Sequence, residues 1–183
     1  MADFSPGFYK TIKIIDAFTE RTGEVVSWLS IPLAIAVFWE VISRYFFNKP
    51  TTWSYDLTYM LYGALFMLGA AYALRQGAHI RTDMLWEKFS DTTKGKIDFY
   101  GYIVFFFPGM ILLFMTSIDD AWFALIHGEM SEQTTWRPYL WPIKGAVPLA
   151  ALLMMIQGIS EIMKSWFMMQ TGKEFEHKAG GEI

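Results

Sequence analysis

Four apolar runs constrain this chain more than any other feature. They cover Val25 to Phe47, Trp53 to Leu74, Ile97 to Ile118 and Gly145 to Met163. At 1.5 Å per residue each is about 30 Å long, the thickness of a bilayer's hydrocarbon core. The expected fold class is therefore an all-α integral membrane protein with four transmembrane helices. Composition agrees: 54% of residues are hydrophobic and 18% charged, against about 45–50% and about 25% in soluble domains. The 183 residues suit one compact unit. A net charge of −3 gives no reason to expect nucleic acid as a partner, and the absence of cysteine removes disulfides, thiolate metal sites and Cys nucleophiles.

Residues 1–23 do not read as a signal peptide, because charges interrupt them. Phe4, Phe8, Ile12, Ile15 and Phe18 recur at helical steps, while Lys10, Lys13, Asp16 and Glu20 fall elsewhere. That pattern predicts an amphipathic arm lying in the membrane interface, with packing on a soluble partner as the alternative. Residues 24–163 form the four-helix transmembrane domain and 164–183 a cytoplasmic tail, expected to lose order after Gln170. Pro32 is expected to kink the first span or mark a late start, and Pro108-Gly109 to kink the third. Glu40 and Arg44, four apart, can pair on one helix face, with Arg44 snorkelling to the interface. Asn48-Lys49-Pro50 makes a tight turn, and Asp56 complements the N-terminus of span two. Arg44 and Asp56 are expected to be tied together across that turn, directly or through Glu40. Ser131 to Lys144 reads as a loop with aromatic interface anchors.

Span two is expected to be the central helix. Gly69, Ala73 and Gly77 recur at every fourth position and Gly63, Ala70 and Gly77 at every seventh, so one stripe admits a neighbouring backbone. Packing inside the chain's own helices and packing on a partner explain that stripe equally well. The span stops at Arg75, and the polar stretch beyond it carries His79, Arg81 and Asp83; a short interfacial helix around Trp86 is expected to follow. In span four, Gln157, Ser160 and Glu161 with Lys164 form a polar stripe suited to hydrogen bonding with another helix. Eleven Lys and Arg fall on the side of the termini and the His79 loop, and four on the other. That bias places both termini in the cytoplasm.

Chemistry is harder to find. His79 and His127 fall at opposite membrane faces and cannot ligate one haem iron, and His177 lies in the tail. Asp119-Asp120 has no His or Glu at helical spacing to complete a metal or acid–base site. A self-contained transporter needs charged groups or broken helices at the midplane; here the middle is nearly all apolar. No cofactor is expected, nor catalysis. A transport subunit without a solute site of its own remains, with a membrane anchor subunit of a redox enzyme as the second reading.

Several motifs carry a family resemblance. Arg44-Tyr45-Phe46-Phe47-Asn48, Trp53-Ser54-Tyr55-Asp56-Leu57, and Gly69-Ala70-Ala71-Tyr72-Ala73-Leu74-Arg75 leading to His79-Ile80-Arg81-Thr82-Asp83 resemble the small membrane subunit (DctQ-type) of tripartite ATP-independent periplasmic (TRAP) transporters. Trp136-Arg137-Pro138 through Trp141-Pro142-Ile143-Lys144 is similar to the entry to span four in one branch of that family. Asp56 departs from it, since many relatives carry glutamate there. The resemblance implies a subunit of an ion-gradient-driven importer in the bacterial inner membrane. Its implied partners are a large membrane subunit, which holds the solute and sodium sites, and a periplasmic substrate-binding protein, which delivers a carboxylate or sulfonate. Glu40, Arg44, Trp53, Asp56, Gly69, Ala73, Arg75, Gly77, His79, Arg81, Asp83, Gln157 and Glu161 are the candidate residues for subunit contact or structure.

Overall fold

The computed structural model describes residues 4–77, 89–173 and 175. Its helices are α1 (Pro6–Ser27), α2 (Ser30–Tyr45), α3 (Ser54–Arg75), α4 (Asp91–Gly101), a π-helical turn (Tyr102–Phe106), α5 (Phe107–His127) and α6 (Trp141–Thr171). Four helical stretches are long and apolar enough to cross a membrane: Pro6–Tyr45, Ser54–Arg75, Asp91–His127 and Trp141–Thr171. The chain is thus an all-α membrane protein.

The interruptions sit where the backbone demands them. Span one begins at Ser30, just before Pro32, after a break at Trp28 and Leu29 that separates it from the arm. Proline at the third position of a helix gives up no intrahelical bond, so Pro32 marks a start and not a kink. In span three Pro108 has no N–H for the carbonyl of Val104, and the preceding turn widens to π spacing, with the Phe107 N–H reaching the Tyr102 carbonyl. The expected break is therefore a π turn one residue before the Pro-Gly pair. The α5 helix stops at Gly128, whose φ of 60° lets the Glu129 N–H close on the Ala124 carbonyl at 3.1 Å. Span four outruns its expected end at Met163 and stops at Gly172. The tight turn after α2 has Asn48 at φ 52°, a conformation Asn tolerates.

Each span packs on the next in the order one, two, four, three, and α1 lies across spans two and four. Among the described residues no extended contact joins span one to spans three or four, or span two to span three. The four helices therefore stand as one layer.

The expectation of a central span two is corrected here. Of its most apolar window 11% is buried, against 44% for span four. Span four has small residues where neighbours arrive: Ala146 and Ala150 on one line, Ala151, Gly158 and Ser165 at seven-residue steps on another, all buried. A Cβ on Gly158 would lie 2.7 Å from the Phe106 ring. Gly95 meets span four still more closely, since a Cβ there would fall 2.7 Å from the Met169 nitrogen and 2.9 Å from the Ser165 oxygen. By contrast a Cβ on Gly69 would meet nothing within 4 Å, and Ala73 and Gly77 are exposed. The Gly69–Ala73–Gly77 line that made span two look central is unused by this chain, although a Cβ on Gly63 would fall 2.8 Å from the Ile143 side chain of span four.

Backbone cannot yield to an added methyl as a flexible side chain can. Gly95→Val is therefore expected to destabilise the purified protein by about 1–3 kcal/mol, read as a lower midpoint of thermal unfolding in detergent. Gly69→Val should leave that midpoint unchanged. Equal losses would contradict the packing described.

Candidate functional site

The polar side chains of the membrane domain gather in two places. The first joins the arm to span four. Along α1, Ile12, Asp16 and Thr19 recur at steps of four and three, and this face turns inward: Ile12 and Thr19 are buried while Phe18 stays exposed. The arm was expected to bury its Phe4–Phe18 apolar line in lipid; its inward face is instead rotated to include polar residues. Thr19 donates its hydroxyl to Gln157 Oε1 at 2.7 Å. Gln157 Nε2 donates to Asp16 Oδ1 at 3.0 Å and to Glu161 Oε1 at 2.9 Å. Ser160 donates to Asp16 Oδ1 at 2.7 Å. Lys164 closes the set, 2.9 Å from Asp16 Oδ2 and 2.8 Å from Glu161 Oε1. The polar stripe on span four thus finds its helix partner within the same chain. Every buried polar atom of Gln157 is satisfied, which a low-dielectric setting requires. Phe4 and Tyr9 extend the contact by packing on Phe167.

The second cluster lies at the opposite ends of the spans, and its members were expected to form one unit. The structure makes two. Arg44 donates through Nε and Nη2 to Glu40 Oε1, at 3.0 and 2.6 Å. Glu40 Oε2 accepts the Thr51 N–H at 3.0 Å and the Thr51 hydroxyl. Asp56 instead accepts the Ser131 hydroxyl at 2.7 Å and the Thr134 hydroxyl, both from the loop between spans three and four. Asp56 is 2% exposed and occupies the first turn of α3, where the helix dipole favours an anion. Trp53 is the N-cap of α3, and next to it Ser54 donates to the Ala36 carbonyl of α2. Asp120 pairs with Lys144, and Glu129 takes the same ammonium at 2.7 Å.

Arg75 meets Glu20 of the arm through Nη2 at 3.2 Å, while its Nε and Nη1 are buried and have no partner among the described residues. His79, Arg81, Asp83 and the interfacial helix expected around Trp86 lie outside the described residues. Among those described, no three His, Asp or Glu side chains gather as a metal site. Sequence reading missed Thr51, Ser131 and Thr134, since hydroxyls in loops carry no periodic signal. It also missed Asp16 and Thr19 as partners of span four, although their three-residue spacing places them on one arm face.

The split between Glu40–Arg44 and Asp56 has a measurable consequence. Arg44 is 58% exposed, so Arg44→Ala should cost under about 1 kcal/mol. Asp56→Ala strands two hydroxyls and should cost about 1–3 kcal/mol. With no shared partner, the double mutant should show the sum, within about 0.5 kcal/mol. A coupling well above that in a double-mutant cycle of unfolding free energies would restore the direct tie.

In this arrangement the charges of the membrane domain serve attachment between the chain's own helices and loops. No curated protein matches the chain. Residues 33–168 match the family model described as "Tripartite ATP-independent periplasmic transporters, DctQ component". That match takes in all of spans two and three and most of spans one and four, and the chain belongs to the DctQ component family of TRAP transporters.

Proposed function

We propose that this chain is a non-catalytic scaffold of its transporter: it binds no transported solute, holds the large membrane subunit in place, and is required for transport. The solute class we assign is an organic acid anion, a carboxylate or sulfonate, brought by a periplasmic binding protein and moved by an ion gradient. The observation that carries this reading is how the buried charges are used. An anionic solute in a membrane site needs a cation or a helix N-terminus aimed at it. Lys164 is taken up by Asp16 and Glu161, and Lys144 by Asp120 and Glu129. Arg75 Nε and Nη1 have no acceptor among the described residues, but they are buried inside the chain at the end of span two. The N-terminus of span two is already filled by Asp56. The redox-anchor reading gains nothing from the family match.

The purified chain should show no saturable binding of carboxylates or sulfonates by calorimetry and no uptake in liposomes under a sodium gradient. Added to its large partner and the binding protein, it should restore sodium-dependent uptake that the partner lacks alone. Uptake by this chain alone, or full activity of the partner without it, overturns the scaffold reading.

We also place the chain in the inner membrane with both termini in the cytoplasm, on the eleven-to-four charge bias. Single cysteines carry no background here. In intact cells a cysteine at Lys49 or Thr135 should react with an impermeant thiol reagent, and one at Gln76 or Lys173 should not. The reverse pattern inverts the topology.

A further inference from the structure

Among the described residues, Arg75 is the one charged side chain buried without a full set of partners. Its side chain is 10% exposed, and Nη2 meets Glu20 at 3.2 Å. The other two nitrogens, Nε and Nη1, are buried and donate to nothing among the described residues. A desolvated guanidinium with open donors is costly until an acceptor reaches it.

The surroundings say which acceptor fits. Arg75 is the last residue of α3, so it stands where the apolar run of span two gives way to the headgroup level. The arm crosses there: a Cβ on Gly23 would fall 2.5 Å from the Tyr72 ring, one turn before Arg75. The arm's ion pairs to the spans are made by its acids, Asp16 and Glu20. Its cations Lys10, Lys13 and Arg21 stand exposed on the side away from the buried Ile12 and Thr19. Beside them runs an exposed apolar line of Ile14, Phe18 and Val25. A helix face that is cationic along one line and apolar along the next settles in an anionic lipid surface, with its cations among the phosphates. Phosphate oxygens are thereby held at the level of Arg75.

We propose that Arg75, between the arm and the end of span two, anchors a binding site for a phosphate group, that of an anionic phospholipid headgroup. Arginine matches phosphate through paired N–H donors and stays charged when desolvated. The phosphate reaches the buried nitrogens by displacing Glu20, which is able to give way. Glu20 is 42% exposed, holds Arg75 by a single contact, and has no other partner among the described residues. Glu20 and the phosphate therefore compete for one cation. A lipid keeps its phosphate at this level, whereas a dissolved acid must be gathered from water. The site is thus one for lipid and not for a transported solute, and it stands or falls separately from the scaffold reading.

The test titrates the full chain, freed of lipid in a neutral detergent, with three probes. They are dioleoylphosphatidylglycerol, dioleoylglycerol (the same acyl chains without phosphate) and inorganic phosphate. Native mass spectrometry reads bound lipid, and thermal unfolding reads the shift in midpoint. Phosphatidylglycerol should bind saturably and raise the midpoint, and dioleoylglycerol should do neither. Arg75→Gln should weaken phosphatidylglycerol binding roughly tenfold, and Glu20→Gln, which removes the competitor, should strengthen it about threefold. A salt bridge serving structure alone would make both substitutions lower the midpoint and leave lipid affinity unmoved, and that result overturns the site. Equal binding of dioleoylglycerol overturns it as well. Should Arg75→Gln not fold, the half-exposed Glu20→Gln decides: weaker or unchanged lipid binding in that variant counts against the site. Inorganic phosphate matching phosphatidylglycerol at equal concentration would keep the phosphate site and make its source soluble.

Discussion

The close approach of backbones along span four is the contact on which the rest depends. In lipid no hydrophobic force pulls one apolar helix to another, so association relies on van der Waals fit and interhelical hydrogen bonds. Gly95 and Gly158 supply the fit on one side of span four, and Ala146, Ala150 and Ala151 add to the small surface on which its neighbours settle. Small residues on several sides let span four receive a neighbour on each flank and the arm across it. That capacity places span four inside the row, although the chain reaches it last.

Hydrogen bonds supply the rest, and each set does a different job. The Asp16–Thr19–Gln157–Glu161–Lys164 network fixes where the arm lies and in which register. Its two carboxylates and one ammonium tolerate burial because each charge has a partner; removing one would strand the others in a low dielectric. The Asp56 set ties the loop before span four to the first turn of span two, and Lys144 holds the start of span four to the end of span three. The loop thereby also links span two to span three, which share no extended contact along their length among the described residues. A layer stapled at its ends and strutted by an arm suits the proposed scaffold role.

Much of this was legible in the residues and part was not, and the division follows the range of the interaction involved. Span positions, the Gly128 stop, the break before Pro108 and the Glu40–Arg44 pair are local: run length, backbone chemistry and helical spacing decide them. The partner of Asp56 lies 75 residues away in the chain, and that of Gln157 lies 141 away. No spacing rule reaches so far. Asp56 was expected to tie to Arg44 because the two flank the short turn between spans one and two, yet two loop hydroxyls hold it instead.

The same limit explains the misplaced centre. A stripe of small residues says that a backbone can come close, without saying whose. Two such stripes exist, on α3 and on α6, and residue order alone could not rank them. Residue order settled that four helices cross a membrane and where in the chain each lies, since the bilayer's thickness and the backbone's unmet hydrogen bonds impose those features on each segment separately. Tertiary structure decided the order one, two, four, three, the arm's inward face, and which stripe the chain consumes. Those are choices among neighbours, made by steric fit and mutual satisfaction of polar groups, and they exist only once the helices are side by side.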